Sequence, residues 1–247
     1  MAAQQLRDKD EPFAFATIVR TAGSTAAKPG AKALLSVDGT ILQGWLGGGC
    51  TRGAVKRATL QALRDGKPQL VSVAPEDLLA EKGITAGDTI EGTQFARNGC
   101  PSRGTVDIFI EPCLPAPQLV VLGASPVAQA LSAFAPQFHW SVAATLAQKK
   151  PHQQQFVVVA TQGQGDLDAL KSALSEKKDH VAFVGSRRKY AALAEKLVAA
   201  GIDRSLIESV QAPAGLKIGA VTPEEIALSI LAQFVQIRRM AVKPSHA

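Results

Sequence analysis

The chain has 247 residues, of which 46% are hydrophobic and 19% charged, a composition typical of a globular protein of one or two domains. No apolar run reaches the roughly 18 residues of a membrane helix, and residues 1–12 contain no apolar segment typical of a signal peptide. We therefore expect a cytoplasmic protein without a membrane partner. The net charge of +6 suits an anionic ligand, whereas the 5% of aromatic residues and the lack of a basic stripe interleaved with them argue against nucleic-acid binding.

Residues 1–115 are predicted to form an α+β domain whose sheet is mainly antiparallel. Strand patterns with β-branched residues occur at 13–20, 31–37, 40–46, 69–74 and 104–112. Asp38 and Gly39, between the second and third of these, predict a two-residue hairpin turn. The stretch 51–66 predicts a helix that ends at Gly66 and carries the apolar stripe Val55, Leu60 and Leu63. The polar, glycine-rich region 75–103 is expected to be irregular.

Three prolines within residues 111–118 predict a linker to a second domain, residues 116–247. This domain shows short, apolar, β-branched strands that alternate with amphipathic helices, at 118–122, 156–161 and 180–184 for the strands and at 190–201 and 223–240 for the later helices. Ser125 and Pro126 are typical of the N-cap and first residue of another helix. The alternation predicts a parallel, Rossmann-like sheet, and hence an α/β protein overall.

Three glycines followed by a cysteine form the first candidate site, residues 47–50, which we name the GGGC loop. Gly47, Gly48 and Gly49 lie between a predicted strand and a predicted helix, where consecutive N–H groups form an anion-binding nest. Cys50 lies at the N-terminus of that helix, a position that stabilises a thiolate. The alternative is a tight turn around a small buried cysteine.

A second Gly-Cys pair ends at Cys100, and Arg103 follows it as Arg52 follows Cys50. The two cysteines could meet in space, whereas Cys113, in the predicted linker, is expected to be incidental. Three cysteines are too few and too uneven for a disulfide framework, which favours reduced thiols. No spacing of His and Cys predicts a zinc site, since the four histidines all lie in the second half of the chain.

The strand, turn and helix at 119–135 occupy the place where a Rossmann domain holds the pyrophosphate of a dinucleotide. Against the fingerprint G-x-G-x-x-G this stretch reads Gly123, Ser125 and Ala128, and no acid follows in the region where a ribose would bind. We therefore expect poor binding of NAD. The alternative is a doubly wound domain that retains only the turn.

A further phosphate candidate is the stretch 184–189. A predicted strand ends there at Gly185, and Ser186 begins a helix whose N-terminus attracts anions. Arg187 can donate two hydrogen bonds to a phosphate. We expect an anionic ligand over this edge of the sheet, and a nucleotide such as FAD or NAD(P) is one alternative.

Four segments together carry a resemblance to a known family: the stretch 19–50 with its GGGC ending, the Gly-Cys pair before "VDIFIEP", "VGSRRK" at 184–189, and the stretch 213–233 with "TPEEIALSILAQ". In this order they resemble the XdhC/CoxI family over nearly the whole chain. The resemblance implies an accessory protein of bacterial molybdenum hydroxylases such as xanthine dehydrogenase and carbon monoxide dehydrogenase. It also implies a cysteine-bearing N-terminal domain followed by a Rossmann domain.

The chain departs from the family pattern at several places. Residues 25–28 read Thr-Ala-Ala-Lys where the family usually has Ser-Pro-Arg, and Cys100 is followed by Pro-Ser instead of Gly-Gly. Ser125 and Pro126 stand where Gly-His usually ends the Rossmann turn, and the Asp-Pro-Arg after the second strand is missing. These differences indicate a divergent member, and a specialised role such as carbon monoxide dehydrogenase maturation fits them.

The resemblance and the residues together lead to one functional interpretation, a non-catalytic or weakly catalytic chaperone of the molybdenum cofactor. It would bind molybdopterin or molybdopterin cytosine dinucleotide, with the GGGC loop on phosphate and Cys50 as a transient molybdenum ligand or sulfur relay. Expected partners are an apo molybdenum hydroxylase, a cysteine desulfurase or a cofactor nucleotidyltransferase, and a second copy of the chain. The alternatives are an oxidoreductase that uses a nucleotide in the Rossmann half and a thiol redox protein that uses Cys50 and Cys100.

Overall fold

The computed structural model describes residues 2–99, 103–175 and 178–241, and of Cys50 and Ala241 it describes the backbone alone. The chain forms two compact units, Met1–Pro115 and Ala116–Ala247.

A seven-stranded sheet is the framework of the first unit. Its strands are β1 (Phe13–Ala22), β2 (Lys32–Leu35), β3 (Ile41–Gly44), β4 (Gln69–Ala74), β5 (Thr89–Ile90), β6 (Thr93–Arg97) and β7 (Thr105–Cys113). They lie in the order β3-β2-β1-β7-β4-β6-β5, and every neighbouring pair is antiparallel except β4 and β6. Three helices accompany the sheet: α1 (Ala2–Asp8), α2 (Arg52–Asp65) and α3 (Glu76–Glu81). The predicted α+β unit with a mainly antiparallel sheet is confirmed.

Helix α2 covers one face of this sheet because a buried stripe recurs along it with the helical period. The stripe consists of small or branched residues, Ala54, Val55, Ala58, Thr59, Ala62 and Leu63. Its alanines let the helix approach the strands closely. The helix ends at Gly66, whose φ of 67° is left-handed and whose N–H donates to the Ala62 carbonyl at 2.8 Å. The prediction that Leu60 belongs to the stripe is wrong, because this side chain is exposed.

The hairpin of β2 and β3 is confirmed, but its predicted two-residue turn is wrong. The connection runs from Ser36 to Thr40, and the Ser36 N–H donates to the Thr40 carbonyl at 2.9 Å. The Asp38 carboxylate closes this loop by accepting hydrogen bonds from the Ser36 hydroxyl and from the side chain and N–H of Thr40. These hydrogen bonds, above all the one from the Ser36 hydroxyl, lower the pKa of Asp38 to about 2.

The region expected to be irregular, 75–103, instead contains α3, β5 and β6. Strand β6 was hard to predict because its residues, Thr-Gln-Phe-Ala-Arg, have no clear apolar alternation. Its partner determines its structure: it pairs in parallel with β4, and the Gln94 amide donates to the side-chain oxygens of Gln61 at 2.6 Å and Gln69 at 3.0 Å.

The predicted linker is shorter than expected. Strand β7 continues to Cys113, which pairs with Phe13 of β1, so that residues 114–117 alone connect β7 with the next strand. Cys113 is therefore part of the sheet and not of a linker. Its thiol is half-buried, and burial raises its pKa.

A parallel sheet of four strands is the framework of the second unit, as predicted for a Rossmann-like region. Its strands are β8 (Gln118–Leu122), β9 (Ser141–Ala143), β10 (Gln155–Val159) and β11 (His180–Phe183), in the order β11-β10-β8-β9. The helices are α4 (Pro126–Phe134), α5 (Asp166–Leu174), α6 (Arg187–Ala199), α7 (Arg204–Ser209) and α8 (Pro223–Ala241). Residues of α4 and α8 share one apolar cluster with the sheet, and residues of α5, α6 and α7 share another. The sheet is thus covered on both faces.

Helix starts in this unit follow the signals in the sequence. The Ser125 hydroxyl accepts the Ala128 N–H at 3.2 Å, and Pro126 is the first residue of α4. Helix α8 begins with a capping box, in which Thr222 and Glu225 each accept the other's N–H, at 3.3 Å and 3.0 Å. Helix α6 begins at Arg187, which confirms the helix start predicted at Ser186: the Ser186 hydroxyl caps it by accepting the Lys189 N–H at 3.2 Å. The stretch 190–201 predicted for this helix therefore starts too late.

Candidate functional site

A cavity of about 460 Å³ lies beside the GGGC loop in the first unit. It is lined by the loop after β2, the end of β3, the GGGC loop and the first turns of α2: Gly39, Thr40, Ile41, Gly44, Trp45, Leu46, Gly47, Thr51, Arg52, Val55 and Lys56. The two charged residues in this set, Arg52 and Lys56, are both cations. A ligand in this cavity would therefore meet positive charge.

The GGGC loop is fastened from inside by Thr51. This buried side chain donates its hydroxyl toward the carbonyl oxygens of Leu46, at 3.4 Å, and Gly48, at 3.2 Å. Gly47 has a φ of 97°, and a Cβ there would lie 3.3 Å from Cβ of Ala27. At Gly48 and Gly49, by contrast, a Cβ would meet no described atom within 4 Å. The backbone of these two glycines is open to close approach by a ligand.

The loop leads directly into the N-terminus of α2. Residues Gly49–Thr51 form a 3₁₀ turn, and the Arg52 N–H donates to the Gly49 carbonyl. The first N–H groups of a helix lack intrahelical partners and carry partial positive charge. Helix α2 has 14 residues and no acidic residue in its first turn, so that no side chain there offsets this charge.

An exposed tryptophan completes the cavity wall. Trp45 is 49% exposed and lines the cavity. It follows Gly44, whose φ is 91° and whose Cβ, if present, would overlap the carbonyl oxygen of Lys32. The Trp45 N–H donates to that same oxygen at 3.2 Å, which fixes the backbone on which the indole is mounted. A partly exposed indole offers a flat apolar face to a planar ligand.

The two candidate cysteines, Cys50 and Cys100, lie largely outside the residues that the structure describes. The backbone of Cys50 is in the 3₁₀ turn that precedes α2, while its side chain and all of Cys100 lie outside the described residues. Arg103 is described, and it lies away from this cavity's lining: its guanidinium pairs with Asp77 of α3. Among the described residues no group of three or more His, Cys, Asp or Glu could hold a metal ion.

In the second unit, Gly123 is required by packing. It has a φ of 117°, and a Cβ there would lie 2.5 Å from the carbonyl oxygen of Ala160 and 2.8 Å from Cα of Thr161. The end of β8 therefore presses against the segment after β10. The Ser125 hydroxyl caps α4, as described above, and Ser125 also lines a cavity of about 220 Å³.

This smaller cavity lies where Rossmann folds place their ligands, at the carboxyl ends of β8 and β10, between which the strand order reverses. Its lining is Ser125, Pro126, Val127, Ala160, Gln162, Val184 and Pro223, none of which is charged. Gly185, Ser186 and Arg187 are not in it. Gly185 packs against the Phe183 ring, Ser186 caps α6, and Arg187 is exposed.

An ion pair that the sequence patterns did not predict connects the loop after β10 with α6. Asp166 is 6% exposed, and its carboxylate accepts hydrogen bonds from the Thr161 hydroxyl and, at 3.0 Å, from the Gly163 N–H. Lys189 lies 2.5 Å from the other carboxylate oxygen. Burial works against ionisation of Asp166, but the bonds from Lys189, Thr161 and Gly163 together lower its pKa. The ammonium group of Lys189 is thus already paired with Asp166 within the protein.

Two family models match this chain. The model of the XdhC and CoxI family matches residues 6–74, which include the GGGC loop, and the model of the XdhC Rossmann domain matches residues 119–234. The chain belongs to the XdhC and CoxI family.

Two known proteins are similar to this XdhC and CoxI family member. The uncharacterized protein YqeB of Escherichia coli (strain K12) is 29% identical, over 99% of this chain and 48% of its own length. The chain therefore spans about half the length of that curated relative. A solved structure described as a xanthine dehydrogenase from Bacillus halodurans covers 100% of this chain and 97% of its own, with a TM-score of 0.45 and 20% identity.

The structure divides the predicted site residues of this XdhC and CoxI family member into separate groups. Gly47 and Arg52 line one cavity, and Gly48 and Gly49 follow Gly47 in the chain without lining it, while the candidates at 123–125 and 185–187 lie in the other unit. Sequence reasoning missed Trp45 as a lining residue. Its signal was an aromatic residue two positions before the GGGC loop in a chain with two tryptophans.

No helix among the described residues combines the length and apolar character needed to cross a membrane.

Proposed function

We propose that this chain binds the molybdenum cofactor in the cavity beside the GGGC loop and helps to deliver it to a molybdenum hydroxylase. One observation carries the proposal: the GGGC loop, with open space at Gly48 and Gly49, leads into a helix N-terminus beside a cavity that Gly47 lines and whose charged lining residues, Arg52 and Lys56, are both cations. Such an arrangement suits an anion, and a phosphate above all.

The chemistry of the cofactor suits the groups that line this cavity. Molybdopterin is a flat, phosphate-bearing ring system, and its cytosine dinucleotide form carries a second phosphate and a base. The N–H groups near Gly48 and Gly49 would bind phosphate, helped by Arg52 and Lys56. The indole of Trp45 would stack on a ring. At about 460 Å³ the cavity also has the size of a small-molecule site, roughly 300–1,000 Å³.

Cys50 has a proposed role of its own in binding the cargo. Thiolate sulfur is a soft ligand that suits a transition metal, and a cysteine at a helix N-terminus forms the thiolate readily. We propose that Cys50 contacts the molybdenum centre or relays sulfur to it. Cys100 is a second thiol that could serve the same purpose if it comes close.

Membership in the XdhC and CoxI family suggests the setting for this activity, the maturation of molybdenum hydroxylases. The proposed client is an apo-hydroxylase such as xanthine or carbon monoxide dehydrogenase, which the chain would meet in the cytoplasm. A cysteine desulfurase or a cofactor nucleotidyltransferase would supply sulfur or the finished cofactor. A homodimer is also part of the proposal.

The binding site is tested by exchanging its cations. The full chain is expressed in a cofactor-producing cell, and molybdenum and pterin are measured after purification. The double variant Arg52→Gln, Lys56→Gln is expected to retain about a tenth or less of the wild-type molybdenum, since two charge-assisted contacts to phosphate are removed. The matched control Lys9→Gln, Arg64→Gln makes the same change of charge elsewhere in the unit and should keep the wild-type content. Equal molybdenum in both double variants would contradict the site.

The role of the thiol is tested by Cys50→Ala, with Cys113→Ala as the control. Cys50→Ala is expected to melt at the wild-type temperature, to retain less molybdenum and to fail to raise the activity of the client hydroxylase. Cys113→Ala should leave molybdenum and client activity unchanged, because Cys113 lies at the end of β7 and not at the cavity. Wild-type molybdenum in Cys50→Ala would leave the GGGC loop as a phosphate cradle without a metal ligand.

A further inference from the structure

A second cavity, of about 520 Å³, lies on the other face of the sheet in the first unit. Strand residues alternate between the two faces. On β4, for example, Val71 and Val73 join the cluster under α2, while Leu70 and Ser72 line the cavity. The remaining wall comes from α3 and the segment after it, which contribute Leu78, Leu79, Lys82 and Ile84. The cavity shares no lining residue with the one beside the GGGC loop.

A buried carboxylate forms part of the floor of this second cavity. Asp107 on β7 is 8% exposed, and its Oδ2 accepts a hydrogen bond from Nε of Arg20 at 2.5 Å. Its Oδ1 is buried and has no hydrogen-bond partner among the described residues. Ser72 lies directly opposite Asp107 on β4 and also lines the cavity. Buried carboxylate oxygens nearly always accept a hydrogen bond. The lack of a donor to this Oδ1 among the described residues therefore suggests that a ligand supplies the donor.

Positive charge lies around the same cavity. The Arg20 side chain is 71% exposed although its Nε bonds to Asp107, so that its remaining N–H groups can reach a ligand. Lys82 is exposed and also lines the cavity. Apart from the hydroxyl groups of Ser72, Thr93 and Thr105, the rest of the lining is apolar and includes Leu70, Leu79 and Phe95. An apolar body, a hydrogen-bond donor and an anionic group are therefore the three features of a ligand that fits.

We propose that this cavity binds a purine nucleotide of the guanine type. Its ring would lie among the apolar side chains, and its ring N–H would donate to Asp107. Its phosphate would lie near Arg20 and Lys82. An amine would meet two cations here, and a fatty acid would bring no donor to Oδ1, so that neither suits the cavity as well. This site is additional to the proposed cofactor function and does not depend on it.

Calorimetry on the full chain with guanosine 5′-monophosphate as the probe tests the proposal. Guanosine and ribose 5-phosphate, each of which lacks one half of the probe, should bind more weakly than the nucleotide. Asp107→Asn is expected to weaken binding at least about tenfold, because a charge-assisted hydrogen bond is lost. Lys82→Gln should reduce the affinity for the nucleotide toward that for guanosine, and Lys9→Gln is its control.

A variant that fills the cavity keeps the test decisive if Asp107→Asn does not fold. Leu78 lines the cavity and is 39% exposed, so Leu78→Trp should block the site without disturbing the core, whereas Leu60→Trp, at a residue 41% exposed on α2, should not. Absence of nucleotide binding at millimolar concentration would overturn the proposal. So would loss of binding in Arg52→Gln but not in Leu78→Trp, since the nucleotide would then be bound at the GGGC loop.

Discussion

Glycines in this chain serve two different purposes, and the atoms around each of them tell the two apart. At Gly44 and Gly123 a positive φ is combined with a backbone carbonyl so near that no Cβ would fit. These glycines allow segments of backbone to pack together. At Gly48 and Gly49 the space is open. A missing side chain there adds nothing to the packing of the described residues, which is consistent with a place kept free for a ligand.

This difference predicts opposite outcomes for two alanine substitutions four residues apart. Gly44→Ala is expected to lower the free energy of unfolding by about 2–4 kcal/mol, because the methyl group overlaps the Lys32 carbonyl at an unfavourable φ. Gly48→Ala should stay within about 0.5 kcal/mol of the wild type. Its methyl group should nevertheless reduce the amount of bound molybdenum. Denaturant unfolding of both variants measures the first effect, and equal losses of stability would contradict this account.

The proposed thiolate at Cys50 predicts a difference in reactivity between cysteines. Cys50 lies in the turn that leads into α2, two residues before Arg52, and a position at a helix N-terminus favours the thiolate. Burial raises the pKa of Cys113 and disfavours its thiolate. At neutral pH iodoacetamide should therefore modify Cys50 well before Cys113, as peptide mass spectrometry would show. A Cys50 that reacts no faster than Cys113 would instead indicate a buried cysteine in a plain turn.

At the scale of elements, side chains hold the loops at the carboxyl edge of the parallel sheet. The Asp166 carboxylate fastens the loop between β10 and α5, and Lys189 connects it to the first turn of α6. The Lys189 ammonium also lies 5.6 Å from the centroid of the Phe183 ring, at the end of β11. Three segments of the edge are thus tied together by one charged pair.

Removing the cation should leave Asp166 buried without its strongest partner. Lys189→Met is expected to cost about 1–2 kcal/mol, less than for a fully buried pair because the lysine side chain is 40% exposed. Because Asp166 has a lowered pKa in the folded chain, its stabilising effect is present above the ordinary value and is lost as pH falls through the lowered one. Urea unfolding at pH 7 and at pH 3 should therefore show a larger penalty at pH 7. Arg188→Met, on an exposed neighbour, is the control and should cost little at either pH.

At the scale of the whole molecule, the two units offer very different surroundings to an anion. The cavity beside the GGGC loop has two cations in its lining, while the cavity at the edge of the parallel sheet has none and measures about 220 Å³. Two of the 27 lysines and arginines of the chain line the first cavity. Among the described residues, the lining of the cavity at the edge of the parallel sheet offers no charged group to a dinucleotide.

Binding of NAD(P) to the full chain should accordingly be weak. Ser125 replaces the glycine that would let a pyrophosphate approach, and its hydroxyl is engaged in capping α4. No acid lines the cavity for a ribose. Calorimetry is expected to give a dissociation constant above the micromolar range. A dissociation constant below micromolar would favour the alternative of a nucleotide-dependent oxidoreductase.

The sequence by itself determined the elements with strong local signals. Helix α2 with its Gly66 end, helix α4 with its Ser125 cap and the β-branched strands of the parallel sheet were predicted, because caps and apolar periodicity act within one or two turns of chain. The same signals predicted the α+β and Rossmann-like halves. The run of three glycines before Cys50 predicted a candidate site at the GGGC loop.

Tertiary structure alone decided what depends on partners distant in the chain. Strand β6 forms because β4 offers it a hydrogen-bonding edge. Leu60 is exposed because the way in which α2 lies on the sheet, and not the apolar character of a residue, decides which face of the helix is buried. The cavity beside the GGGC loop arises where the loop after β2 and the end of β3 meet α2, which brings Thr40 and Trp45 to the first turns of that helix. Contacts of this kind depend on how whole elements pack, and no local pattern of residues predicts them.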